Sequence, residues 1–243
     1  MDSNIFSPNT PIAGAEGIAS TRSFLSRVFT YMALALVVSG SIAWWFANDR
    51  AMLGYLINFE TGKQTILGWV VLLAPIGLVL LMSAMVQRMS VTALLATFIV
   101  YSAMTGMSLS FIFLAYTSSS IASTFFMSAV VFGIMAITGY TTRTDLTKFG
   151  SIMMIGLVGI IIASVVNFFM HSTTMGYVIS VIGVLVFTGL TAYDMQKLKV
   201  MSTQVGEGTE IAQKMSLMGA LTLYLDFLNL FLMLLRLFGN RRN

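Results

Sequence analysis

Long apolar runs alternate with short polar breaks along the chain. Seven runs, at residues 28–47, 66–86, 91–116, 121–139, 151–170, 177–196 and 218–238, approach or exceed the roughly 20 apolar residues a helix needs to cross a hydrocarbon core. The breaks between them carry most of the charge and the turn-forming residues. The pattern predicts an all-α polytopic membrane protein with seven transmembrane helices, organised as a polar N-terminal tail (1–24), a transmembrane domain (25–238) and a short C-terminal tail (239–243). The start, Met1 to Ser20 with Pro8 and Pro11, lacks the basic-then-apolar order of a cleavable signal peptide. The break at 48–65 is long enough for a short interfacial helix, and Trp44 and Trp45 sit where interfacial aromatics belong. Pro75 lies inside the second run and predicts a kink. Ser102, Gly106 and Ser110 repeat every fourth residue in the third, and Gly156 and Gly159 fall in the fifth, both patterns for close helix packing.

Composition narrows the chemistry. The 243 residues are 57% hydrophobic and 9% charged, with a formal charge of +4. The mean hydropathy is +0.89. The basic residues are scattered between runs as topology signals are, so no nucleic-acid partner is expected. There is no cysteine, which removes disulfides and thiolate chemistry. His171 is the single histidine, which excludes a multi-histidine metal site; it is expected to cap a short loop. The 19 methionines, including Met82/Met85 and Met104/Met107, are read as flexible filler rather than a copper(I) site.

With the N-terminus cytoplasmic, one side collects Arg22, Arg27, Arg88, Arg143, Lys148, Lys197, Lys199 and Lys214. The other collects Arg50, Lys63, Arg236, Arg241 and Arg242. The internal loops favour that orientation, while the three C-terminal arginines leave two possibilities for the last run, crossing or re-entering.

Acids are scarce within the runs: of nine Asp and Glu residues, only Asp194 and Asp226 fall there. An acid within hydrocarbon costs roughly 2.5–3.5 kcal/mol on insertion scales, so it faces protein or water. On a helix, Gly219, Thr222, Asp226 and Asn229 share one stripe, with Leu221, Leu225, Leu228, Leu232 and Leu235 on another. Thr191 shares a face with Asp194. Two carboxyl groups brought together in low dielectric do not both ionise easily; they hold one proton between them and titrate as a unit. Without the proton they attract a hard cation such as Ca2+. Arg88 ends the second run on the same side as Asp194, and an arginine grips a carboxylate through two hydrogen bonds. The alternatives for these residues are a surface pair with Lys197 for Asp194 and a snorkelling arginine for Arg88.

The run AYDMQKLK at 192–199, the stretch SLMGALTLYLDFLNLFLMLLRLFG at 216–239 and the loop TRTDLTKF at 142–149 resemble the Bax inhibitor-1 family of membrane proteins over nearly all of the chain after Thr21. The resemblance implies a C-terminal helix wrapped by six others and a pH-sensitive passive calcium leak. It implies Asp194 and Asp226 as the proton-sensing pair and Arg88 as a latch; the shared helix faces add Thr191, Thr222 and Asn229 as supporting polar groups, and the carboxylate chemistry makes the pair the expected cation site. Some relatives carry an acid inside the second span, and this chain has none between 66 and 86. No enzyme activity and no cofactor are expected; membrane lipids, protons and Ca2+ are the expected partners. The compact loops and short tails resemble prokaryotic members and point to the cell (inner or plasma) membrane.

Two rival classes remain. A non-conducting regulator or scaffold would pass no cation. An aspartyl intramembrane protease would fit Tyr193-Asp194, but its second motif needs glycines before the aspartate, where this chain has Leu223, Tyr224 and Leu225.

Overall fold

The computed structural model describes residues 13–205 and 208–242; Pro8, Pro11, Gly206 and Glu207 lie outside them. The described chain is helical: α1 Ala13–Asn48, α2 Arg50–Leu56, α3 Ile66–Met85, α4 Val91–Leu109, α5 Ile112–Ala115, α6 Ser118–Thr141, α7 Thr147–Met170, α8 Thr173–Gln204 and α9 Glu210–Phe238. Seven of these segments are long and apolar enough to cross a membrane, α4 and α5 forming one of them. The polar breaks set the helix starts. Thr65, Ser90, Thr117, Ser172 and Thr209 each sit at an N-cap, their hydroxyls accepting from the backbone N–H three residues on, which satisfies one of the donors a helix start leaves unpaired. The interfacial helix expected after the first span is α2, capped by the Asp49 carboxylate. His171 closes α7 in the left-handed conformation, at φ 52°. The helix α3 runs through Pro75 as one element.

The C-terminal helix α9 is the axis of the bundle. It packs against α1, α4, α6 and α8, and Leu217, Ala220, Leu223, Tyr224 and Leu230 are wholly buried. Tyr224 stands edge-on to Phe98 and Tyr101, with ring centroids 6.1 and 5.7 Å apart. Leu221, Leu228 and Leu235 of the leucine stripe are buried too, because a central helix meets protein on that side rather than lipid. Two peripheral helices complete the bundle: α3 packs on α2 and α4, and α7 on α8.

Glycines bring backbones together where the small-residue pattern predicts. A Cβ on Gly106 would stand 2.6 Å from the Ser39 carbonyl oxygen, so α4 crosses α1 there in near-backbone contact. Ser102 and Ser110, on the same stripe, are fully buried. In α7 the two expected positions separate. Gly156 faces Val186 of α8, whereas Gly159 is exposed and meets nothing within 4 Å. It lies off the packing surface because α7 touches the bundle along one narrow edge.

The differences from the hydropathy reading concern helix ends. Helix α1 begins at Ala13, well before residue 28, and α8 runs on to Gln204. Ser202 of α8 donates to Thr21 of α1 at 3.0 Å, so the extensions of α1 and α8, joined by the start of α9, form a packed projection on one side of the bundle. The last run agrees with the expectation of seven spans. Helix α9 is unbroken, and the tail after it pairs with the α5–α6 junction: Thr117 N–H donates to Asn240 O (3.1 Å) and Arg242 N–H to Ala115 O (2.9 Å). That junction lies at the opposite end of the bundle from the α8–α9 loop, so α9 runs the full length of the bundle, long and apolar enough to cross a membrane, despite Arg236, Arg241 and Arg242.

A carboxylate pair at the mouth of a lateral crevice

The site begins with a depth marker. Gln196 of α8 accepts from Leu146 N–H at 2.8 Å and donates to Thr144 O at 2.8 Å. Both partners belong to the loop between α6 and α7, which fixes Gln196 level with that face of the bundle. Asp194 lies two residues deeper, about 3 Å along the helix axis. The pair it forms is therefore near the side that carries the α1–α8–α9 projection, called the near side below.

Asp226 of α9 meets it there. The two carboxyl groups lie within hydrogen-bonding reach of one another. Asp226 is 5% exposed and its Oδ2 has no hydrogen-bond donor, while Asp194 is half-buried. A carboxylate oxygen that has left water without a donor carries a desolvation cost, which a shared proton or a bound cation relieves.

Two cavities meet at this pair. A vestibule of about 270 Å³ lies on the near side, lined by Val86 of the α3 end, Met201 of α8, and Met215, Met218 and Gly219 of α9. A crevice of about 670 Å³ runs inward between α7, α8 and α9. Asp194, Lys197 and Thr222 line both. Along α9 the crevice extends from Thr222 to Met233, about 16 Å at the rise of an α-helix. Its deep end closes where Met233 packs on Gly183. Its side stands open, because Ile161 and Val165 of α7 line it and are 54% and 56% exposed.

The expected site residues divide accordingly. Asp194, Asp226, Thr222 and Asn229 line the crevice together. Thr191 does not: it is fully buried and its hydroxyl donates to Phe187 O at 2.8 Å. Arg88 is exposed just past the end of α3 and makes no ion pair with Asp194. Among the described residues the ion pair within 4.0 Å is Lys214–Glu210 on α9. Val86, two residues before Arg88, lines the vestibule with Asp194, so the α3 end is at the site though its arginine is not engaged. The roles of Lys197, Leu225 and Met233 as crevice lining were missed. Lys197 reads as a topology signal, and apolar residues facing a crevice look like those facing lipid. The loop acid Asp145 stands apart. Its Oδ1 accepts from Thr147 Oγ1 (2.6 Å) and Thr147 N–H (2.9 Å), and those bonds, the hydroxyl's first, hold its carboxyl below the usual range.

A membrane bundle with a central helix and a carboxylate pair at a crevice mouth defines a class of polytopic protein rather than a soluble fold. The profile of the family described as inhibitor of apoptosis-promoting Bax1 matches residues 21–243. The inner membrane protein YbhL of Escherichia coli is 45% identical over 225 residues, covering 92% of this chain and 94% of that one. Uncharacterised proteins of Rickettsia prowazekii (45% over 222 residues, 91% of each chain) and Borreliella burgdorferi (42% over 220 residues, 90% and 93%) are similar throughout. The chain belongs to the Bax inhibitor-1 family.

Proposed function

We propose that this protein is a pH-sensitive passive cation leak, with calcium as the permeant ion, in an inner membrane like that named for its E. coli relative, and with its N-terminus cytoplasmic. The observation that carries the reading is the meeting of Asp194 and Asp226 where the vestibule and the crevice join. With one proton shared, the pair holds a single charge. Its loss leaves two charges in partly dry surroundings, which repel each other and attract a hard cation. Two carboxylates with Thr222 and Asn229 offer at most six oxygens, the lower limit of the six to eight a resident Ca2+ takes, and only if both carboxylates bind through both oxygens. The donor set therefore suits an ion in transit that keeps part of its water. Arg88 acts as a latch when the α3 end moves toward α8, and the deep end must open at Met233 for an ion to cross. No catalysis is involved in this reading; α9 stays helical through Leu223, Tyr224 and Leu225, without the opening a substrate peptide would need.

Calcium flux into vesicles reconstituted with the full chain tests the proposal. Flux should rise with pH in the native protein and lose that dependence in Asp194→Asn. Equal pH dependence in both removes the sensor role. No flux at any pH favours a non-conducting regulator.

A further inference from the structure

The crevice has features that a cation path alone does not call for. It opens sideways to the membrane between α7 and α9. Its length along α9 is about 16 Å, close to half of a hydrocarbon core of about 30 Å, hence one leaflet's acyl layer. Its wall is apolar along Leu157, Ile160, Ile161, Val165 and Leu225. Asn229 and Ser164 line it further in, while its charged groups gather at the near-side mouth. There Asp226 Oδ2 is buried without a donor, Asp194 stands beside it, and the Lys197 ammonium at the rim is exposed and reaches no carboxylate within 4.0 Å among the described residues.

We propose that this crevice is a binding site for an ethanolamine phospholipid of the near-side leaflet. Its ammonium donates to the Asp194–Asp226 pair, its phosphate pairs with Lys197, and one acyl chain fills the groove down to Met233. The match is one of charge order. A headgroup with a cation at its tip and an anion behind it meets two acids inside and a lysine at the rim. A choline headgroup carries a charge but no N–H to give to Asp226 Oδ2. A glycerol headgroup offers the carboxylates no cation. The lipid forms the missing side wall of the crevice, and its ammonium competes with a metal cation for the same oxygens. The inference shares the carboxylate pair with the leak reading but needs no ion to flow.

The test is photo-crosslinking of the full chain in vesicles, using phospholipid probes with one diazirine-bearing acyl chain and an ethanolamine, choline or glycerol headgroup at equal mole fraction. Labelled residues are mapped by mass spectrometry. Crevice residues Leu157, Ile161 and Met233 should be labelled about tenfold more by the ethanolamine probe than by the choline probe, the lower scale of one charge-assisted hydrogen bond. The double variant Asp194→Asn/Asp226→Asn should fall to the choline level, and Lys197→Ala should fall part of the way. Ile155 and Ile162 on the outer face of α7 are exposed and line neither the crevice nor the vestibule. They should label equally with all three probes and in every variant, which verifies that the variants are folded in the bilayer. Equal labelling of the crevice by the three probes overturns the proposal. So does an ethanolamine preference that survives in the double variant, or a preference for the glycerol headgroup. A chain that passes no calcium can still give the expected pattern, and a chain that conducts can lack it, so the two readings fail separately.

Discussion

Asp194 and Asp226 come from the two helices that flank the α8–α9 loop, and they meet at the junction of the vestibule and the crevice with one oxygen of Asp226 left without a donor. An arrangement chosen for stability alone would pair that oxygen or replace it. Strain of this kind concentrates at functional sites and trades against stability.

A stability measurement exposes that trade. Asp226→Asn removes a buried charge and places an amide donor toward Asp194. It should stabilise the protein by about 1–3 kcal/mol, the usual cost of a buried unsatisfied group, while flattening the pH response of the proposed leak. The gain should be larger at pH 8 than at pH 5, because at the higher pH the native pair carries more charge. Thermal unfolding in detergent at the two pH values reads it. Unchanged or lower stability at pH 8 would mean the pair is satisfied by groups other than the two acids.

The contact of α1 with α4 gives a prediction of opposite sign. A leucine at Gly106 would drive its side chain into the Ser39 backbone, in a bundle where α9 packs on both helices. Gly106→Leu should destabilise by about 1–3 kcal/mol, as overpacking does. The same change at Gly159, which faces open space, should leave unfolding temperature nearly unaltered. Comparable losses at both would show that leucine in a glycine-containing span, and not the α1–α4 contact, is the cause.

These contrasts also show what hydropathy conveys and what it hides. The seven spans are legible because lipid tolerates few charges, and the acid pair stands out because so few acids occur there. Helix ends are not legible in the same way. Polar residues such as Arg22, Lys199 and Lys214 continue α1, α8 and α9 beyond the membrane, where water accepts them and the backbone needs no change of conformation. The crevice is hidden for a related reason, since Ile161 and Val165 are apolar whether they face lipid or a cavity. The position of Arg88 away from Asp194 depends on where α3 sits as a body, which no local pattern encodes.

The loop acid offers a local test. The bonds from Thr147 lower the Asp145 pKa, so its contribution to the start of α7 is present above the unfolded value of about 3.9. It is lost as pH falls through the lower folded value. Asp145→Ala should therefore speed amide exchange at residues 147–150 at pH 7 with no change in the pH response of the proposed leak. An altered profile of that leak would move Asp145 from a helix-start role into the proposed gate.

The crossing of α9 yields a prediction that the chain's own composition makes simple to test. There is no cysteine in the sequence, so single cysteines report topology without a background. Thr117 and Asn240 are joined by a backbone hydrogen bond of 3.1 Å and must emerge on one side. Gln87 and Thr144 belong to the α3–α4 and α6–α7 breaks and must emerge on the other. In right-side-out vesicles an impermeant thiol reagent should label Thr117→Cys and Asn240→Cys, and should reach Gln87→Cys and Thr144→Cys only after the membrane is opened. The reverse pattern would keep the seven crossings and invert the orientation, placing the Asp194 mouth outside the cell. Labelling of Asn240→Cys together with Gln87→Cys would return the last segment to re-entry, and with it remove the central helix on which the carboxylate pair depends.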